Sequence, residues 1–364
     1  MSTTQTRPSQ KKPGRAGATR RRKSTEKDTG RRRVSGHAPR PLLIATTCAF
    51  FVAVGILAWD LTASWRIAPP GVAGQIAMPA SGGVTLINTE NGRTSELVSS
   101  QGNASVTSVA WSPDRQTLAY TLFHRRPEDR VSSAELFSIP QAGGEPTLLV
   151  PRPQPGTVID SPAWAPDASA IFYAFQGVEN NRPVARIEQV ELGTGNRRPL
   201  YENASFPTVS PDGQQLAFTF DDGKGQALRI GPVAGGEARE IIKPTAFRSL
   251  MGPRFSPDGN WIAFVAVGPG PSGARPQQPP GLADLLGVSV AYAHGDPYGV
   301  WKVRPDGSDL QTATPLLEDE PLLSWSKDGA WLAVHGTGGL WIVDVSGATE
   351  PRRIADGTIG GIDW

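Results

Sequence analysis

The chain has 364 residues, 38% of them hydrophobic and 19% charged, enough apolar material for a large core and too much for a disordered chain. Its net charge of +2 conceals two regions: of 36 basic and 34 acidic residues, the first 40 positions hold 13 and two, leaving 23 and 32 for the rest. The single cysteine, Cys48, excludes an intramolecular disulfide and a cysteine-based zinc site.

Residues 1–40, with Arg20-Arg21-Arg22-Lys23 and Arg31-Arg32-Arg33 among Ser, Thr, Gly and Pro, lack the apolar surface to offset ordering entropy, so a disordered basic tail is expected. Anionic lipid headgroups are its expected partner. Nucleic acid is not, because no aromatic residues interleave the charges to stack on bases.

Next comes an uncharged run, Leu42 to Trp59, whose helical length of roughly 27 Å approaches the thickness of a bilayer core. A transmembrane helix is therefore expected over 41–61, with the basic tail cytoplasmic and later residues outside. A cleaved signal peptide, giving a secreted protein, is the alternative; the run is long and aromatic for an h-region, and no strong small-x-small site follows closely. Cys48 sits within the apolar run rather than after it, which argues against a lipoprotein. Arg32-Arg33 lacks the hydrophobic continuation of a twin-arginine signal. Residues 62–74, rich in Pro, Ala and Gly, are expected to be a linker.

From residue 75 the chain repeats. Val109-Ala110-Trp111-Ser112-Pro113-Asp114 is followed by Pro162-Ala163-Trp164-Ala165-Pro166-Asp167, Pro207-Thr208-Val209-Ser210-Pro211-Asp212-Gly213, Pro253-Arg254-Phe255-Ser256-Pro257-Asp258-Gly259 and Leu323-Ser324-Trp325-Ser326-Lys327-Asp328-Gly329. Each is a strand entering a turn, where Pro presets φ, Asp bonds nearby backbone and Gly accepts positive φ. A second strand follows, such as Leu118-Ala119-Tyr120 or Ile262-Ala263-Phe264, and a further hairpin, such as that around Gly143-Gly144, completes a four-stranded unit.

The first unit, at 84–98, has no such copy before it, whereas Gly360-Gly361-Ile362-Asp363-Trp364 matches the strand leading to Trp111. The expected fold is thus all-β: a six-bladed β-propeller over 75–364 whose C-terminal strand closes the N-terminal blade. Closure leaves no exposed sheet edge around the ring.

The repeat of Trp-Ser-Pro-Asp-Gly followed by Leu-Ala-Phe, at about 40 to 50 residues, resembles the TolB-type propeller family over most of 75–364. Related repeats occur in periplasmic TolB, in propellers of prolyl-oligopeptidase-like peptidases and in many envelope proteins. The resemblance implies a propeller and fits a bacterial envelope protein. It offers no counterpart of TolB's separate α/β domain and leaves no room for a peptidase domain.

Trp111, Trp164, Trp325 and Trp364 are read as blade-packing residues, and Asp114, Asp212, Asp258 and Asp328 as turn residues. No nucleophile elbow, zinc-peptidase motif or phosphate loop occurs. No copy has the alternating ligands of a calcium loop, and no cofactor is expected. His124, His294 and His335 each lie near a connection between second and third strands, so a three-histidine metal site is a remote alternative.

Function is expected on the longer loops: 123–134 with Arg125, Arg126 and Arg130; 176–184 with Arg182; and an insertion at 268–297. With Leu285, Tyr292, His294 and neighbouring Tyr298, these form a candidate binding face. The expected function is a non-catalytic envelope scaffold or sensor binding a protein, peptide or cell-wall component. An enzyme acting on glycans or peptides at the central funnel is the alternative. Oligomeric state is not legible.

Overall fold

The computed structural model describes residues 68–69, 72–80, 82–99, 102–126, 131–152, 154–268 and 296–364, with the side chains of Arg125, Arg126 and Val131 excepted. The expected tail, transmembrane helix and first part of the linker lie outside the described residues, as does nearly all of the 268–297 insertion. Among the described residues no helix is long and apolar enough to cross a membrane.

Among the described residues twenty-three strands form six antiparallel sheets, the blades of a propeller. The first blade has β1 (Gln75–Ala80), β2 (Gly83–Asn88) and β3 (Thr94–Val98). The second has β4 (Ala104–Trp111), β5 (Thr117–Arg126), β6 (Val131–Pro140) and β7 (Thr147–Val150), and the third β8 (Val158–Trp164), β9 (Ala170–Glu179), β10 (Arg182–Glu191) and β11 (Arg197–Glu202). In the fourth are β12 (Ala204–Val209), β13 (Gln215–Asp221), β14 (Gln226–Pro232) and β15 (Arg239–Ile242). The fifth comprises β16 (Ser249–Phe255), β17 (Ile262–Val267), β18 (Tyr298–Val303) and β19 (Gln311–Glu318), the sixth β20 (Leu322–Trp325), β21 (Trp331–Gly336), β22 (Gly339–Asp344) and β23 (Arg352–Ala355).

The C-terminus supplies the inner edge of the first blade through a single antiparallel bridge, Ala77 to Asp363, in which Ala77 N donates to Asp363 O at 2.8 Å and Asp363 N to Ala77 O at 3.1 Å. On its other side Gly361 N donates to Thr107 O at 2.8 Å. The closing segment thus joins the first blade to the second.

The second strands form the core because both their faces meet a neighbouring blade. Leu118, Ala119, Leu216, Ala217, Ile262, Ala263, Phe264, Leu332 and Ala333 are all fully buried. Packing also extends upstream of residue 75: Ala68 and Val72 join Ile87, Ile342 and Trp364 in one cluster, and Thr89 Oγ1 donates to Val72 O at 3.1 Å. The apolar end of the expected linker is therefore docked on the propeller.

Two of the second-to-third-strand connections are shorter than expected. Strands β9 and β10 run on to Glu179 and Arg182, leaving a two-residue turn at Asn180–Asn181 with φ of 51° and 60° in place of a 176–184 loop. Both are asparagines, which tolerate the left-handed region that this hairpin turn requires. Likewise β5 and β6 pair out to Arg126 and Val131.

Four of the inner strands share a feature not read from the sequence: pairing slips by a β-bulge between Val106 and Ser108, Asp160 and Ala163, Ser205 and Thr208, and Met251 and Arg254. Bulges re-aim side chains, and here the residues after them line the central channel.

Candidate functional site: the central funnel

The inner strands converge on a funnel of about 490 Å3. Its walls include two rings. One is made of the residues that end the inner strands, Trp111, Trp164, Val209, Phe255, Trp325 and Trp364; the other of the residues immediately before them, Ala110, Ala163, Thr208, Arg254, Ser324 and Asp363. Arg115 and Lys327 also line it, together with turn residues such as Ser112, Pro113, Pro166 and Pro257. The funnel therefore lies at the short-turn end of the strands, opposite the end that carries the longer loops.

The short turns make a firm rim. Ser112 Oγ donates to Asp114 Oδ1 at 2.6 Å, while Asp114 Oδ1 accepts from Gln116 N and Ser112 Oγ from Thr117 N, each at 3.0 Å. The same net recurs around Asp212, Asp258 and Asp328, so the aspartates are turn residues as expected. The tryptophans pack between blades as expected: Trp164 Nε1 donates to Ala110 O and Trp325 Nε1 to Arg254 O, both at 3.0 Å.

Charge in the rings is confined to Arg254 and Asp363. Asp363 is heavily used: Oδ1 accepts from Ser324 Oγ at 2.7 Å and Trp364 N at 3.0 Å, and Oδ2 from Trp111 N at 2.7 Å. Its carboxylate thereby pins the closing strand to the second and sixth blades. Arg254 is the opposite case. Its guanidinium makes one hydrogen bond, from Nη1 to Pro253 O at 3.0 Å, and among the described residues no salt bridge. Burial lowers its pKa, against the pull of Asp363 and Asp160.

Asp160 lies nearby in β8, where Oδ1 accepts from Thr107 Oγ1 at 3.2 Å, Thr121 Oγ1 at 3.1 Å and the Ser108 hydroxyl. At the rim, Arg115 lies over the Trp111 ring at 5.0 Å and donates through Nη2 to Gln75 O at 2.6 Å; burial lowers its pKa and Asp363 opposes this.

The loop-face residues are placed elsewhere. Arg182 is exposed at the start of β10, and Tyr298 opens β18, its hydroxyl 3.2 Å from Ser249 Oγ. Arg125 and Arg126 end β5, in register with Ser132 and Val131. Arg130, Leu285, Tyr292 and His294 lie outside the described residues.

His335 is buried within the sixth blade: Nδ1 is 3.0 Å from Gly360 O, and Nε2 is 3.2 Å from both the amide and hydroxyl of Thr358. His124 pairs with Glu135 at 3.2 Å. No cluster of metal-ligating side chains occurs among the described residues.

Sequence reading missed Arg254 and Asp363 as site residues. The signal was available: of the six residues preceding the end of an inner strand, only these two are charged.

This is a TolB-type six-bladed β-propeller fold. TolB from Acinetobacter baumannii superposes with a TM-score of 0.59 at 17% identity, covering 82% of this chain and 68% of that one. The nidogen/laminin complex structure contains a chain matching at 0.57 and 13%, covering 79% and 97%. In sequence, the uncharacterized peptidase YuxL of Bacillus subtilis is 30% identical over 176 residues, which is 45% of this chain but only 22% of that protein. No family model matches the chain.

Proposed function

We propose that this chain is a membrane-anchored, non-catalytic binding protein of the cell envelope, a scaffold or sensor whose propeller takes a protein, peptide or cell-wall component in its funnel. The observation that carries this reading is the funnel lining. It has the volume and aromatic walls of a ligand site, it includes neither histidine nor cysteine, and its single carboxylate, Asp363, is engaged by three donors. Acid–base or nucleophilic chemistry needs a base within reach of the group it activates, and this lining offers recognition groups instead.

The apolar run at 42–59 behind a basic tail supports the anchor and an extracytoplasmic propeller. The loop face with Arg182 and Tyr298 is a second contact surface in this reading. An enzyme working at the funnel is the competing proposal, favoured by the stretch shared with a peptidase-named relative.

Crosslinking capture from native membranes tests it, using the full-length protein, an Ala163→Phe variant that fills the funnel, and a variant lacking 269–297. A partner lost with Ala163→Phe supports the funnel, and one lost with the deletion supports the loop face. Equal capture by all three, or none by any, counts against the binding reading. Release of the protein by alkaline carbonate washing would sink the anchor.

A further inference from the structure

Arg254 presents a problem in physical bookkeeping. Arg254 stands half-buried in the funnel wall, where a charge crowded by protein normally finds a partner. A guanidinium has five N–H donors, yet among the described residues only Nη1 of Arg254 has a protein partner, and that is the carbonyl of the preceding residue. Asp363 and Asp160 both act on it electrostatically, but neither forms a salt bridge with it. They are held away by other donors: Asp363 by Ser324 and two backbone amides, Asp160 by Ser108, Thr107 and Thr121. Arg254 is itself positioned, since its carbonyl accepts from Trp325 Nε1 and a bulge in β16 sets its direction. A fixed arginine with spare donors in a cavity wall is arranged for a ligand's anion.

Resting on the binding reading above, we propose that Arg254 is the anion anchor of the funnel and that the ligand carries a carboxylate, which meets the guanidinium while its apolar part lies on Phe255 and Trp325. Planar carboxylates match the guanidinium fork in a bidentate pair. A singly charged group also suits a site where two carboxylates stand nearby, whereas a phosphate dianion would meet greater repulsion. Arg115 and Lys327 at the rim draw an anion inward. The carboxylate can belong to a peptide or to a sugar acid, both of a size the funnel admits.

The test is calorimetric titration of the full-length protein in nanodiscs with three probes: N-acetyl-Ala-Ala-Phe, its C-terminal amide, and a uronic-acid disaccharide. At least one acid should bind, and which one identifies the source. The amide should bind about tenfold or more weakly than the peptide acid if the peptide is the source. Arg254→Gln should lose about tenfold or more towards the bound acid, and Arg254→Lys less than that. Because the guanidinium's one hydrogen bond is to the carbonyl of the residue before it, Arg254→Gln should shift the melting temperature by no more than a few degrees, which separates lost recognition from lost folding. Equal affinity of the wild type and Arg254→Gln, equal binding of peptide acid and amide without uronic-acid binding, or no binding by any probe at millimolar concentration overturns the proposal. A native partner captured equally by the wild type and Arg254→Gln would also overturn it, while leaving the binding reading intact.

Discussion

Seven turn aspartates share one local contact. Asp114, Asp212, Asp258 and Asp328 accept from a serine two residues before them, and Asp167, Asp306 and Asp344 from one two residues after. In each case that hydroxyl is the largest cause of a lowered pKa. A carboxylate whose pKa is lower in the folded state contributes stability above its unfolded value, about 3.9, that is lost as pH falls through the folded one. Denaturant midpoints measured from pH 6 downward should therefore drop below about pH 4, and an Asp212→Asn/Asp258→Asn double variant should show a shallower drop. The turn's left-handed slot is glycine at Gly213, Gly259 and Gly329, near φ 70°, but alanine at Ala168 with φ 59°. Ala168→Gly should stabilise by up to about 1 kcal/mol, since glycine alone enters that region without steric cost; an unchanged or lower melting temperature would contradict this.

At the level of the blade, two of the repeated tryptophans, Trp164 and Trp325, join neighbours through their indoles. Trp325→Phe should cost about 0.5–1.5 kcal/mol, because it removes the indole's bond to the Arg254 carbonyl across the blades. Trp364 is buried too, but its Nε1 has no partner. Trp364→Phe should cost less than Trp325→Phe in parallel urea titrations, and the reverse order would deny the indole bond its role. The four-stranded blade was legible because turn chemistry and apolar strands alternate locally. The inner-strand bulges were not, since residues as different as Ser161 and Phe206 occupy the positive-φ position, at 54° and 53°. Nor was the extent of β9 and β10, because a polar stretch such as Gln176 to Val184 reads as loop until its cross-strand partners are known.

Ring closure is the property of the whole molecule. Only one backbone bridge joins the C-terminal segment to the first blade, so its side chains carry much of the junction: Asp363 to Ser324 and Trp111, Thr358 to Pro79, and His335 to Thr358 and Gly360. Removing residues 360–364 takes out a buried tryptophan and this network, and should cost at least about 3 kcal/mol, with amide exchange accelerated first in β1 and β4. His335 has its pKa lowered chiefly by burial, against the Gly360 bond. A histidine depressed in the folded state loses its stabilising contribution as pH falls below its unfolded value of about 6.5 towards the lower folded one. Stability should thus decline between pH 7 and 5, and His335→Gln should flatten that slope while leaving the one below pH 4.

What the sequence determined by itself was the architecture, because a blade is a local object: its turns, strand alternation and repeat spacing all act over a few tens of residues, and the unmatched ends declared the closure. The funnel belonged to the tertiary structure. Arg254 and Asp363 are 109 positions apart, and nothing in either copy of the repeat says which carboxylate will be held by three donors and which arginine will be left with one. That division follows from where bulged strands of six blades bring their side chains around a common axis, and contacts of that range exist only once the ring is shut.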